Sequence, residues 1–145
     1  MDPETLDVNK LQFGPLFGDS SKATPLTNAE VMDILATLKN DLAAIDKEPN
    51  DVFVNTLTYV QSAAMGMSAD SARELKSTLR EKEKAADGLR RQLHPFELAA
   101  LVNLAPEDYE QATFLIPSLL EFDIPEEKEF IEEAVKDIRD KTQYS

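Results

Sequence analysis

Cysteine is absent from the 145 residues, which excludes a disulfide framework, a thiol nucleophile, a cysteine-based zinc site and an iron–sulfur cluster. One histidine, His94, is too few for an HExxH helix or a His-rich metal site. Glycine is sparse as well. Gly14, Gly18, Gly66 and Gly88 are too scattered to cradle a phosphate, and neither GxGxxG nor GxxxxGK[ST] occurs. With no GxSxG elbow and no SxxK pair, there is no nucleophile beside an evident base, so neither catalysis nor a cofactor is expected. No run approaches the ~20 apolar residues that span a bilayer, and Met1-Asp2-Pro3-Glu4 is acidic without an apolar targeting core. The expectation is a soluble, intracellular chain with no membrane contact.

Cations are also few. Lys and Arg number 15 against 28 Asp and Glu, a net charge of −13, so phosphate backbones and anionic lipid repel the molecule as a whole. The deficit is uneven: residues 1–66 hold 4 basic and 10 acidic side chains, residues 67–94 hold 7 and 5, and residues 95–145 hold 4 and 13. A phosphate would be welcome only in the middle segment, which includes Lys82, Lys84, Arg90 and Arg91, though a solvated helix face explains the same run. The acids Glu126, Glu127, Glu129, Glu132 and Glu133 suit a helix amino terminus and read as a solvated face or a dock for a basic partner.

Hydrophobic residues, at 42%, suffice for a core, and their spacing divides the chain in two. Residues 1–27 carry Pro3, Gly14, Pro15, Gly18 and Pro25 and read as an extended arm. Leu11-Gln12-Phe13 alternates apolar and polar like a short strand, and Leu16 and Phe17 add large apolar groups. An isolated strand needs a partner for its backbone, and the sequence offers no second one, so another chain is expected to supply it. Folding back onto the chain's own helices is the alternative.

Residues 28–145 read as helical. Thr27 and Glu30 form a capping box, after which Val31, Ile34, Leu35, Leu38, Leu42 and Ile45 fall at offsets 0, 3, 4, 7, 11 and 14, one apolar stripe. A second helix, capped by Asn50, turns Phe53, Leu57, Val60 and Ala64 inward and stops near Gly66. A third runs from Ser68 through Leu75 and Leu79 into a charged, solvated end, with a charged loop near residues 81–92. Three shorter helices follow, each opened by a proline: Pro95, Pro106 and Pro125. His94, held extended before Pro95, is placed to cap a free N–H or pack on Phe96.

The string His94-Pro95-Phe96-Glu97-Leu98-Ala99-Ala100-Leu101, then Asn103-Leu104, Pro106-Glu107-Asp108 and Leu115-Ile116-Pro117-Ser118-Leu119, resembles a specific family. It is similar to the fourth subunit of eukaryotic RNA polymerase II, the smaller member of a stalk, with relatives in the archaeal polymerase and in the polymerase III stalk. An FELA-type helix, a PED-type turn, an IPSL element and a final acidic helix share that order. Leu11-Gln12-Phe13-Gly14-Pro15-Leu16-Phe17 is similar to the family's LxLGPxF-type arm.

The resemblance implies an all-α, HRDC-like domain whose amino-terminal arm pairs with a larger, β-rich stalk subunit. The heterodimer would stand on the RNA polymerase II core near the RNA exit path and support initiation, without catalytic residues of its own. The implied location is the nucleus, with a cytoplasmic pool left open. Partner contacts are expected at Leu11, Phe13, Leu16, Phe17, Val31 and Leu35, and weak contact with nascent RNA at Lys82, Lys84, Arg90 and Arg91. His94, Pro95, Phe96, Glu97, Ile116, Pro117, Ser118 and Leu119 are expected to be structural. Residues 81–92 are longer than the family's usual connection, and residues 26–39 also resemble the polymerase III relative, one of two rivals. The IPSL element and the arm favour polymerase II. The other rival is an RNA-contacting helical adaptor.

Overall fold

Five helix starts are fixed by a side chain that accepts a backbone N–H the helix itself leaves unpaired. In a computed structural model describing residues 6–17 and 23–144, Thr27 Oγ1 accepts from Glu30 N–H, and Glu30 Oε1 accepts from Thr27 N–H at 3.0 Å. That capping box opens α2 (Asn28–Ala44). Asn50 opens α3 (Asp51–Ala63), Ser68 opens α4 (Ala69–Ala85), His94 opens α5 (Pro95–Leu104) and Asp108 opens α6 (Tyr109–Leu115). A 3-10 turn, Pro117–Glu121, leads to α7 (Pro125–Tyr144). The described part of the chain is thus all-α, preceded by a 3-10 turn, Val8–Lys10, and a single helical turn, α1 (Gly14–Phe17).

Four expectations change at this level. The arm contains no strand among the described residues: Asp7 and Gln12 form one isolated antiparallel bridge around the 3-10 turn. Left-handed backbone at Leu11 (φ 57°) and Gly14 (φ 80°) breaks the alternation that suggested a strand, and local hydrogen bonds satisfy the peptide groups instead. Secondly, Pro106 does not open a helix. It is fully buried after the left-handed Ala105 (φ 43°) that ends α5, and α6 starts three residues later on the Asp108 cap. Thirdly, the charged end of α4 is not solvated throughout: Glu83 is only 5% exposed, and the loop begins after Ala85. Lastly, Glu127 in the acidic helix α7 is 1% exposed rather than solvated.

The core lies in the second half of the molecule. Leu75 and Leu79 of α4, Leu98 and Leu101 of α5, Ile116, Leu119 and Phe122 around the 3-10 turn, and Ile131, Val135 and Ile138 of α7 form one cluster. Helices α2 and α3 pack on each other as a hairpin leaning on α4. Its foot is tied down by Asn28 N–H donating to Asn103 Oδ1 (2.7 Å) and by Lys76 Nζ donating to Glu30 Oε1 (2.5 Å). Beyond that foot α2 buries little: Val31, Leu35 and Leu42 are half-buried, and Ile34, Leu38 and Ile45 are 43%, 44% and 62% exposed. The regular apolar stripe of α2 is therefore not core.

This division predicts contrasting substitutions. Leu79→Ala or Leu101→Ala, at fully buried positions, should lower unfolding free energy by about 2–5 kcal/mol, whereas Ile34→Ala and Leu38→Ala should cost under about 1 kcal/mol. Urea titrations of the isolated chain followed by helical circular dichroism measure both.

Candidate functional site

The loop after α4 carries Arg90 and Arg91, two of the four cations expected to suit a phosphate, and carboxylates already occupy both. Arg90 Nη2 donates to Glu127 Oε1 at 2.7 Å and to Asp123 Oδ1 at 2.6 Å, while its backbone N–H donates to Glu127 Oε2. Arg91 makes a two-pronged contact with Glu97, at 2.8 and 3.0 Å, and reaches Glu121 through Nε at 2.8 Å. Its guanidinium also lies 4.4 Å from the centre of the Phe122 ring. Lys82 pairs with Asp137 of α7, and Lys84 is exposed. Arg80 joins the loop to α4, donating to Glu83 (2.7 Å) and to the Leu93 carbonyl (2.8 Å).

At the centre is Glu97, with no exposed surface. Burial alone pushes its carboxyl up, but donation from Arg91, from the His94 N–H and from Ser118 Oγ (2.7 Å) outweighs this and holds it below the usual carboxylate range. Arg90, chiefly by its hydrogen bonds, likewise depresses Glu127. His94 Nδ1 accepts from Phe96 N–H at 3.0 Å, and burial lowers the imidazole pKa. Thus the motif residues from two distant parts of the chain meet here. His94, Pro95, Phe96 and Glu97 form the entrance of α5, Ser118 reaches Glu97, Pro117 opens the 3-10 turn, and Ile116 and Leu119 are buried.

The arm lies on the same entrance. The Phe13 ring is 5.3 Å from that of His94 and 5.0 Å from that of Phe96, and the 3-10 turn Val8–Lys10 packs on the turn Pro117–Glu121. Leu11 and Phe13 are half-buried, as are Val31 and Leu35 on α2, while Phe17 is 64% exposed. The side chain of Leu16 lies outside what the structure describes. The sequence reading kept the basic residues together but missed their partners Glu97, Glu121, Asp123 and Glu127. One signal is present: Glu97 stands between Phe96 and Leu98 at the apolar start of α5, three residues after the cap, where a capping-box acid belongs. Among the described residues no group of three or more His, Asp or Glu is disposed to hold a metal ion.

Removing one partner of such a pair leaves a buried charge. Arg91→Ala should destabilise the chain by about 3 kcal/mol. The carboxyls of Glu97 and Glu127 lie lower in the folded chain than in the unfolded one, so the unfolded chain takes up protons first as pH falls. Their contribution should be complete at neutral pH and decline from near the unfolded value of ~4.3 downwards. Urea midpoints between pH 7 and pH 3 should fall across that acid window, and Glu97→Gln should flatten the fall.

The chain is 32% identical over 121 residues to a protein of Arabidopsis thaliana, DNA-directed RNA polymerase II subunit 4, a stretch covering 81% of each chain. The family RNA polymerase Rpb4 matches residues 25–143, which takes in the Thr27 cap, the hairpin and the Glu97 cluster and leaves the arm outside. On that match, spanning more than half of its length, the chain belongs to the RNA polymerase Rpb4 family.

Proposed function

We propose that this chain is the smaller, non-catalytic stalk subunit of RNA polymerase II, acting in the nucleus as one half of a heterodimer. The family match and the plant subunit support the polymerase assignment. The observation that carries the heterodimer is α2. A seventeen-residue helix keeps a regular apolar stripe, yet Ile34, Leu38 and Ile45 stay 43–62% exposed while the core forms elsewhere. A larger, β-rich stalk subunit lying along α2 would cover Val31, Ile34, Leu35 and Leu38 and take Phe17 of the arm. The polymerase core then meets the pair as a unit. Contact with nascent RNA is a minor role in this reading. Lys84 is exposed, but Lys82, Arg90 and Arg91 would have to release their carboxylates first.

Ile34→Asp with Leu38→Asp sets a charge in the middle of that interface at positions the isolated chain leaves in water. Co-expressed with the larger stalk subunit, the double variant should lose at least ten-fold in heterodimer affinity while keeping its helical content. Phe17→Asp should weaken the pair less. Full recovery of the complex by the double variant would refute the interface, and recovery of polymerase III subunits with the tagged wild-type chain would reassign the polymerase.

A further inference from the structure

From Gln92 to Glu127 the chain holds no lysine or arginine, and eight Asp or Glu fall in that stretch. Four of them, Glu97, Glu121, Asp123 and Glu127, are bound by Arg90 and Arg91. Glu107, Asp108 and Glu110 are exposed, and among the described residues no ion pair engages them. They lie at and before the start of α6, whose last turn carries Phe114, 82% exposed, one helical turn beyond Glu110. Leu115 is 42% exposed beside it, and Leu120, 59% exposed, stands on the 3-10 turn packed against α6. Three large apolar side chains on two packed elements are more than scattered surface residues.

At the other end of α6 an open groove of about 430 Å³ runs between Glu107 and α7. Five carboxylates line it, among them Glu107, Glu129 and Glu133, against two cations, Lys136 and Arg139. Lys128 stands over the Tyr109 ring at 5.6 Å. Glu110 and Phe114 are four residues apart on α6, about 6 Å at the rise of a helix, and Glu107 lies just before the helix begins. The face therefore has an apolar end and an acidic end one helical turn apart, with the groove beyond the acidic end.

We propose that this face binds a basic amphipathic helix of a partner protein. Its apolar side chains would cover Phe114, Leu115 and Leu120, and its Lys and Arg side chains would lie against Glu110, Glu107 and the groove. Charge selects the occupant. Nucleic acid and anionic lipid are repelled, and a second copy docked patch to patch would set carboxylate against carboxylate. The site is separate from α2 and holds whatever partner α2 takes.

The test is fluorescence anisotropy with a labelled sixteen-residue helical peptide carrying a Leu-Phe pair at one end and four Lys or Arg beginning one turn away. Against the full chain it should bind one to one, weakening at least ten-fold between 50 and 300 mM salt. A peptide with Glu in place of each Lys and Arg should not bind. Phe114→Ser with Leu120→Ser, and separately Glu107→Lys with Glu110→Lys, should each cost at least ten-fold, whereas Ile34→Ser with Leu38→Ser should cost nothing. These positions are exposed, and circular dichroism and urea midpoints confirm that each variant folds. The proposal is overturned if the peptide does not bind, if the Phe114 variant binds as wild type, or if loss follows only the α2 substitutions. Self-association of the wild-type chain abolished by Phe114→Ser would overturn it in favour of a second copy.

Discussion

A buried carboxylate is the constraint on which this structure turns. Glu97 has no contact with water, and an ionised group in that position is tolerable only if donors surround it. Arg91, the His94 N–H and Ser118 supply them, and each belongs to a different part of the fold: the loop after α4, the cap of α5 and the 3-10 turn. Satisfying one acid thereby fixes the loop path, the start of a helix and the approach of the 117–121 turn. The guanidinium that answers Glu97 also covers Phe122, so the polar cluster and the apolar core share a wall. Glu83 repeats the device in smaller form, accepting Leu93 N–H at 2.6 Å while Arg80 holds the Leu93 carbonyl. The loop is clamped from both sides.

The other half of the molecule is built on weaker terms. Helix α2 buries only Ala29 and Glu30, both in its first turn, and α3 buries Leu57 and Val60. Outside the foot, the hairpin rests on half-buried contacts and on surface pairs such as Arg73 with Asp33 and Asp70, which contribute little in water. Such an element opens locally at lower cost than the α4–α7 core and gains stability from whatever covers its stripe. Sequence and packing meet here: a stripe so regular and yet so exposed is what the proposed interface requires of α2.

Local chemistry was legible in the sequence and distant pairing was not. The Thr27, Asn50 and His94 caps follow from residue type and a spacing of two or three positions, and the structure has each. The arm reads as a strand because alternation over three residues says nothing about φ, and the left-handed Leu11 leaves no mark in composition. Pro106 reads as a helix start because a proline after a turn and a proline within one look alike. The partners of Arg90 and Arg91 lie 6 to 37 residues away along the chain, and no periodicity connects them. The stripe of α2 was visible but not its destination, since apolar spacing marks a face to be covered and not what covers it.

The same pairing reverses the apparent electrostatics. The middle segment is the one basic stretch of an acidic chain, yet six of its seven cations, Arg73, Lys76, Arg80, Lys82, Arg90 and Arg91, are ion-paired within the molecule. Their charge holds helices and loop together, so a phosphate backbone approaching them meets the paired carboxylates at the same distance. Among the described residues, acids without an ion pair include Glu107 and Glu110 at α6 and Glu129 and Glu133 on α7, all facing water. A chain whose one basic stretch is neutralised by its own carboxylates, while other acids face water unpaired, steers basic partners towards itself and nucleic acid away. Any contact with a transcript would therefore depend on protein contacts.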